Sequence, residues 1–136
     1  MSFSIRAEPI VASAEDASPA AGALVVFEGR VRNHNEGKLV RSLEYEAFEE
    51  LAVPIGSEIL EQACRRFEIE SAICVHRVGA LAIGEVAIRV EVQAAHRQAA
   101  FEACAWIVDE VKSRAPIWKK EFYEGGESVW VDPTAR

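Results

Sequence analysis

Residues 85–93 alternate strictly between large apolar side chains and small or polar ones. The apolar positions are Val86, Ile88, Val90 and Val92. Successive side chains of a β-strand point to opposite faces, so this pattern predicts a half-buried strand in an antiparallel sheet. A chain with such a strand must supply neighbouring strands to pair with it and an apolar layer to cover its buried face.

Several other segments have the composition of strands. Residues 22–31, 40–47 and 69–78 are rich in β-branched and aromatic residues or alternate with period two, and residues 3–6 could form a short strand. Residues 117–123 and 128–131 flank a Glu-Gly-Gly-Glu sequence and predict a hairpin. The segment between residues 6 and 22 has no sustained period and is expected to be irregular or briefly helical.

Two segments have helical spacing. In residues 49–67 an apolar residue recurs every four positions, and Pro54 is tolerable only because it lies near the beginning of the segment. Residues 97–114 show a second apolar stripe, which Pro116 ends because the residue before a proline disfavours the α region. Two principal helices packed on a mainly antiparallel sheet of about four strands, with a C-terminal hairpin, predict an α+β fold. We expect one domain over residues 1–136.

Charge and composition exclude several classes of protein. No apolar stretch reaches the roughly 18 residues of a membrane span, and the acidic N-terminus does not resemble a signal peptide, so we expect a cytoplasmic protein without a membrane partner. The net charge of −7 argues against nucleic-acid binding. Three scattered cysteines and three separated histidines predict neither a disulfide framework nor a metal site, and no cofactor is expected.

Basic residues are nevertheless concentrated in two segments, 30–41 and 112–120. Arg30 and Arg32 flank Val31 at a strand end, where alternation sends both guanidinium groups to the same side. Such a pair suits a phosphate or a carboxylate. The alternative is that both arginines are solvated at a strand edge.

His96 and Arg97 stand where a predicted strand leads into a helix. Unpaired N–H groups and the positive end of the helix dipole favour an anion at that position. The alternative is that both side chains are simply exposed in a loop.

The third candidate cluster surrounds Pro116. Lys112, Lys119 and Lys120 lie close together in sequence without an intervening acidic residue. Neighbouring positive charge lowers the pKa of a lysine, and a neutral lysine can act as a nucleophile or a base, with Lys112 and Lys119 the candidates. Alternatively, Lys112 complements the negative end of its helix dipole and the other two lysines are solvated.

Five sequence strings together resemble one known family. GALVVFEGRVRNHNEG, LEYEAF, HRVG, AHRQAAF and KSRAPIWKKE occur in that order between residues 22 and 121. They are similar in identity, order and spacing to the large subunit of molybdopterin synthase, the MoaE family, and the similarity extends over about residues 22–131. Residues 1–21 carry no motif of that family.

The resemblance implies an α/β hammerhead fold and a sulfurtransferase. The substrate would be cyclic pyranopterin monophosphate, which receives two sulfurs from the C-terminal Gly-Gly thiocarboxylate of a small ubiquitin-like subunit, MoaD. It also implies a dimer of large subunits with one small subunit at each end. The residues that would line the substrate pocket are Arg30, Val31, Arg32, His96, Arg97, Lys112, Lys119, Lys120 and Glu121.

Two functions remain open from the sequence. The first is the sulfurtransferase, with Lys112 at the reacting centre and Lys119 stabilising developing negative charge. Lys120 departs from the family pattern, which often has arginine at this position, and lysine keeps the charge but lacks the planar guanidinium fork. The second function is a non-catalytic dimer that binds an anion or a pterin and has lost the chemistry.

Overall fold

The computed structural model describes residues 1–13 and 17–131. Within these residues the chain forms nine strands and two helices. Their order is β1 (Ser2–Arg6), β2 (Ala23–Arg30), β3 (His34–Asn35), β4 (Lys38–Ala47), α1 (Glu49–Arg66), β5 (Ser71–Arg77), β6 (Gly79–Ala82), β7 (Val86–Ala94), α2 (Arg97–Arg114), β8 (Ile117–Tyr123) and β9 (Ser128–Val131).

The strands form two sheets. The first sheet has the order β1-β5-β7-β2, and β1 runs parallel to β5 while the other pairs are antiparallel. Its inner face packs against α1 and α2. The main core lies between these layers and contains the apolar residues of the 85–93 alternation, such as Val90 and Val92, together with Ile59 and Ile107 from the two helices. The predicted α+β class is confirmed.

The second sheet is built around β4. This strand pairs with β8 along Val40–Ala47 and with β3 and β6 on its other edge, and β9 adds to β8 as the predicted hairpin. A smaller core joins Val31, Val40, Leu43 and Leu81. The expectation of one sheet of about four strands was therefore wrong, because alternation fixes the face of each residue but not the strand with which it pairs.

In the segment between β1 and β2, Ser13 and Ser18 lie against the outer side of the first sheet. The Ser13 amide donates to Glu91 Oε2 (3.2 Å), and the Ser18 amide donates to Gln93 Oε1 (2.8 Å). Residues 7–13 and 17–22 contain no helix. The rest of the briefly helical segment that the sequence suggested, residues 14–16, lies outside the described residues. No helix in the described ranges combines the length and apolarity that a membrane span requires.

Helix α1 approaches β1 closely at Gly56, a buried residue of the helix. A Cβ atom added to Gly56 would overlap the ring of Phe3, which is itself only 5% exposed. Alanine normally stabilises a helix by about 1 kcal/mol relative to glycine. Here we expect the overlap to reverse that sign, because a buried ring or the helix itself would have to shift to admit the added atom.

We therefore expect Gly56→Ala to lower the free energy of unfolding by about 1–3 kcal/mol, the range observed for overpacked cores. Urea denaturation measures this change. Glu61→Ala, at an exposed position of the same helix, serves as the control and should change stability by less than about 0.5 kcal/mol. A Gly56→Ala chain as stable as the parent would show that the ring of Phe3 can move aside.

Candidate active site

A cavity of about 410 Å³ lies where the two sheets meet the C-terminal end of α2. The end of β2, strands β5 and β7, the second sheet and the last turn of α2 all contribute side chains to it. Its volume lies within the range typical of small-molecule sites. The polar and charged lining residues are Arg30, Arg32, His34, Asn35, Glu36, Tyr45, His76, Lys112, Lys119 and Glu121.

Cations outnumber carboxylates among these lining residues. Arg30, Arg32 and Lys112 are exposed, whereas Lys119 is half-buried. Arg30 is partly neutralised by a 2.8 Å ion pair with Glu28. Lys112 and Lys119 form no salt bridge within the described ranges, so their charges are available to a bound anion.

Lys119 stands on the face of β8 that points into the cavity. Burial lowers the pKa of Lys119; Glu121 opposes this shift, and the positive charges of Lys112 and Arg32 add to it. Lys119 therefore loses its proton more readily than a solvated lysine does. A lysine of this kind can donate a hydrogen bond as the ammonium ion or act as a base or nucleophile when it is neutral.

Glu121 is a buried carboxylate, with only 3% of its surface exposed. The Asn35 side-chain amide donates to its Oε1 at 2.6 Å, which links the β3–β4 hairpin to β8. Burial and, to a lesser degree, the charge of Glu121 raise the pKa of Tyr45 to about 12, so this phenol remains protonated at neutral pH. Glu121 thus anchors the β3–β4 hairpin through Asn35 and balances part of the positive charge.

His76 lies at the bottom of the cavity on β5 and is 7% exposed. Its ring meets the edge of Tyr45 with centroids 4.9 Å apart, and its Nδ1 lies 2.8 Å from the carbonyl oxygen of Arg77. Burial lowers the pKa of His76 to about 4, and the charge of Lys112 acts in the same direction, whereas the hydrogen bond to Arg77 opposes it. The imidazole is therefore neutral at physiological pH.

Most of the residues predicted from the sequence meet in this one cavity. Arg30, Arg32, Lys112, Lys119 and Glu121 line it, although they come from four separate elements or loops. Val31 lies in the smaller core instead and is 3% exposed. Its amide donates to Glu85, and its carbonyl accepts from Gly84, so Val31 holds the two flanking arginines in place.

Besides Val31, three predicted residues lie outside the cavity. Lys120 is on the opposite face of β8, where its Nζ lies 5.5 Å from the centroid of the Phe122 ring and 5.6 Å from that of Trp130. His96 and Arg97 are exposed at the beginning of α2. Arg97 and Lys112 are fifteen positions apart in that helix, so their backbones are separated by roughly 22 Å.

The sequence reasoning missed two polar residues of the site, Tyr45 and His76. A signal for both was available in the alternation, since Tyr45 follows Leu43 on the buried face of β4, and His76 follows Ala72 and Cys74 on the buried face of β5. A polar residue in an apolar series is a candidate for a site. Only the fold brings the two series together.

The arrangement combines exposed cations at the mouth with less exposed hydrogen-bonding groups below, of which Tyr45 and His76 are uncharged. It is suited to a ligand with an anionic group and a polar ring system. In the described part of the chain, no group of three or more His, Cys, Asp or Glu side chains is placed to hold a metal ion.

Comparison with known proteins gives a consistent result. The family model described as MoaE protein matches residues 4–114. The molybdopterin synthase catalytic subunit of Pyrococcus abyssi is 48% identical over 115 residues, which cover 85% of this chain and 77% of the relative.

Solved structures extend this similarity to the fold. A molybdopterin synthase structure from Staphylococcus aureus superposes with a TM-score of 0.85 at 33% identity, covering 93% of this chain and 94% of the other. A complex of subunits 1 and 2 of molybdopterin-converting factor from Helicobacter pylori contains a chain with a TM-score of 0.68 at 21% identity, covering 82% of this chain and 73% of that one. The second likeness concerns the fold alone.

Proposed function

Because this chain belongs to the MoaE family, we propose that it is the catalytic subunit of a molybdopterin synthase and acts in molybdenum cofactor biosynthesis. The observation that carries the proposal is the cavity in which Lys112 and Lys119 meet Arg30 and Arg32. A phosphorylated pterin and the carboxyl-terminal group of a partner are both anions, and such a cluster of cations binds anions.

The reaction we propose is sulfur transfer to cyclic pyranopterin monophosphate. None of the three cysteines lines the cavity, and burial raises the pKa of Cys104 to about 11. Their thiols are therefore poor sulfur nucleophiles in this fold. The two sulfurs of the dithiolene must come from another molecule, for which a thiocarboxylate is chemically suitable. Its sulfur bonds to the pterin, and water then cleaves the acyl–sulfur bond, which leaves the sulfur on the pterin and an ordinary carboxylate on the donor.

Each charged residue then has a role. Lys112 acts at the reacting centre, and Lys119 stabilises the negative charge that develops during transfer. Arg32 holds the phosphate from the mouth of the cavity, together with His96 and Arg97. Those two side chains are distant along α2 from Lys112 in the same chain, so we propose that they come from the second large subunit of a homodimer.

The proposed sulfur donor is a small MoaD-type subunit with a C-terminal Gly-Gly thiocarboxylate. Membership of the MoaE family supports such a partner, and the chain shares its fold with a chain of the two-subunit Helicobacter pylori complex. Two large and two small subunits would then form a heterotetramer. We place this assembly in the cytoplasm.

The direct test is reconstitution. The chain is incubated with cyclic pyranopterin monophosphate and a thiocarboxylated MoaD-type partner, and the dithiolene product is measured after oxidation to a fluorescent derivative. We expect product only when both are present. If the pterin and the partner bind but no product forms, the non-catalytic binding module becomes the better description.

A partner without its last two residues should bind but not support transfer. Glycine has no side chain to obstruct a narrow passage, and only an extended tail can carry the thiocarboxylate to the reacting centre in the cavity without unfolding the partner. Binding is measured by calorimetry, and product is measured by fluorescence. A partner whose two C-terminal glycines are replaced by alanines serves as the control. It keeps the length of the tail but adds side chains, and so tests whether the passage is narrow. Product formed with the shortened partner would refute tail insertion.

A further inference from the structure

His76 has features that the roles given above do not use. It is a nearly buried side chain that lines the cavity, and the ring is held from two sides. Tyr45 contacts it edge-on at an interplanar angle of 70°, and Arg77 fixes its Nδ1 through the 2.8 Å hydrogen bond. A side chain with so little freedom presents its remaining polar atom, Nε2, in one direction.

The hydrogen bond to Arg77 determines which ring nitrogen carries the proton. A carbonyl oxygen can only accept, so Nδ1 must be the donor. Because the ring is neutral, with its pKa near 4, Nε2 has a free lone pair. Within the described part of the chain, no residue donates a hydrogen bond to this Nε2, including Lys112, which lines the same cavity.

The four cations of the cavity, Arg30, Arg32, Lys112 and Lys119, can only donate. Of the two carboxylates that line it, Glu121 already accepts from Asn35 through Oε1 and Glu36 is exposed, whereas Nε2 of His76 is a neutral acceptor on a buried side chain. The cations at the mouth can donate to every hydrogen-bonding atom of a ligand that has only oxygen acceptors. A ring with an N–H group needs an acceptor deeper in the cavity, and His76 is placed to provide one.

We infer that Nε2 of His76 accepts a hydrogen bond from a ring N–H of the heterocycle bound in the cavity, and that this contact selects a nitrogen heterocycle over other phosphorylated molecules. The inference rests on the proposed function, which supplies the pterin. An acceptor buried beneath a ligand without a donor would remain unsatisfied, and sites of this kind reject such ligands strongly. His76 therefore contributes specificity, whereas the cations contribute general anion affinity.

Three substitutions separate this role from a structural one. His76→Gln retains an acceptor near the position of Nε2, His76→Asn retains only a group near Nδ1, and His76→Phe retains the ring shape without nitrogen. Equilibrium dialysis of the whole chain with cyclic pyranopterin monophosphate should show about tenfold weaker binding for the Asn and Phe variants and near-parental binding for the Gln variant. Inorganic phosphate, the control ligand, should bind all four chains within about twofold.

A ligand series tests the same contact without altering the protein. Among pterin analogues methylated at one ring nitrogen at a time, one should bind the unsubstituted chain about tenfold more weakly than the parent pterin, and His76→Asn should remove that difference. The inference is overturned if the Asn and Phe variants bind the pterin with parental affinity. It is also overturned if all three variants lose pterin and phosphate affinity equally, or if no methylated analogue binds more weakly than the parent pterin. Failure of the unsubstituted chain to bind the pterin would overturn the proposed function as well, which distinguishes the two failures.

Discussion

Replacing either Lys112 or Lys119 with alanine should lower kcat for dithiolene formation by about 100-fold or more. Removal of one positioned group that stabilises charge in a transition state typically costs on the order of 3 kcal/mol. Neither lysine forms a salt bridge within the described ranges, so the loss should fall on the reaction and not on the fold. The measurement is single-turnover product formation with saturating partner and pterin.

Two controls accompany these variants. Lys38→Ala removes an exposed lysine outside the cavity, one that pairs with Glu127 at 3.8 Å, and it should leave kcat within about twofold. Urea denaturation should give similar midpoints for all the lysine variants, and partner binding should be retained. Near-parental rates for both Lys112→Ala and Lys119→Ala would remove the catalytic assignment and restore the binding-module alternative.

Mixing an Arg97→Ala chain with a Lys112→Ala chain should restore activity that neither chain has alone. In a twofold dimer with shared sites, each hybrid has one pocket with both lesions and one pocket with none. If subunits exchange randomly, half of the dimers are hybrids, so about a quarter of all pockets are intact and about a quarter of the parental activity should return. The chains are mixed under conditions that allow exchange, and activity is followed until it is constant.

The matched control is a mixture of Lys112→Ala with Lys119→Ala. The structure places these two lysines in the same cavity of one chain. Every pocket of a hybrid then carries one lesion, and mixing should restore nothing. Absence of recovery in the Arg97→Ala mixture, despite demonstrated subunit exchange, would mean that each pocket belongs to a single chain.

The local structure of the chain could be read from its sequence. The two helices begin and end within about one residue of the predicted limits, and Pro116 follows the end of α2 as expected. The strict alternation in residues 85–93 became β7, with Val90 and Val92 fully buried. These features depend on side-chain spacing and on the chemistry of single residues, which are properties of short segments.

The candidate cations were also visible in the sequence. Arg30, Arg32, Lys112 and Lys119 stood out because basic residues were clustered in an acidic chain. Their proximity across the fold was implied only by the family resemblance. Spacing could not establish it, because the two clusters are about eighty residues apart and meet only when β2, α2 and β8 are assembled.

Strand partners and the floor of the cavity were decided by tertiary structure. Alternation shows which face of β4 is buried. It does not show that β4 pairs with β8 and not with β2, because strand pairing is a long-range contact. In the sequence, His76 and Tyr45 each appear only as a single polar residue on the buried face of a strand. The neutral imidazole arises from burial, from the nearby Lys112 and from the fixed Arg77 carbonyl, and these surroundings exist only once both sheets have packed together.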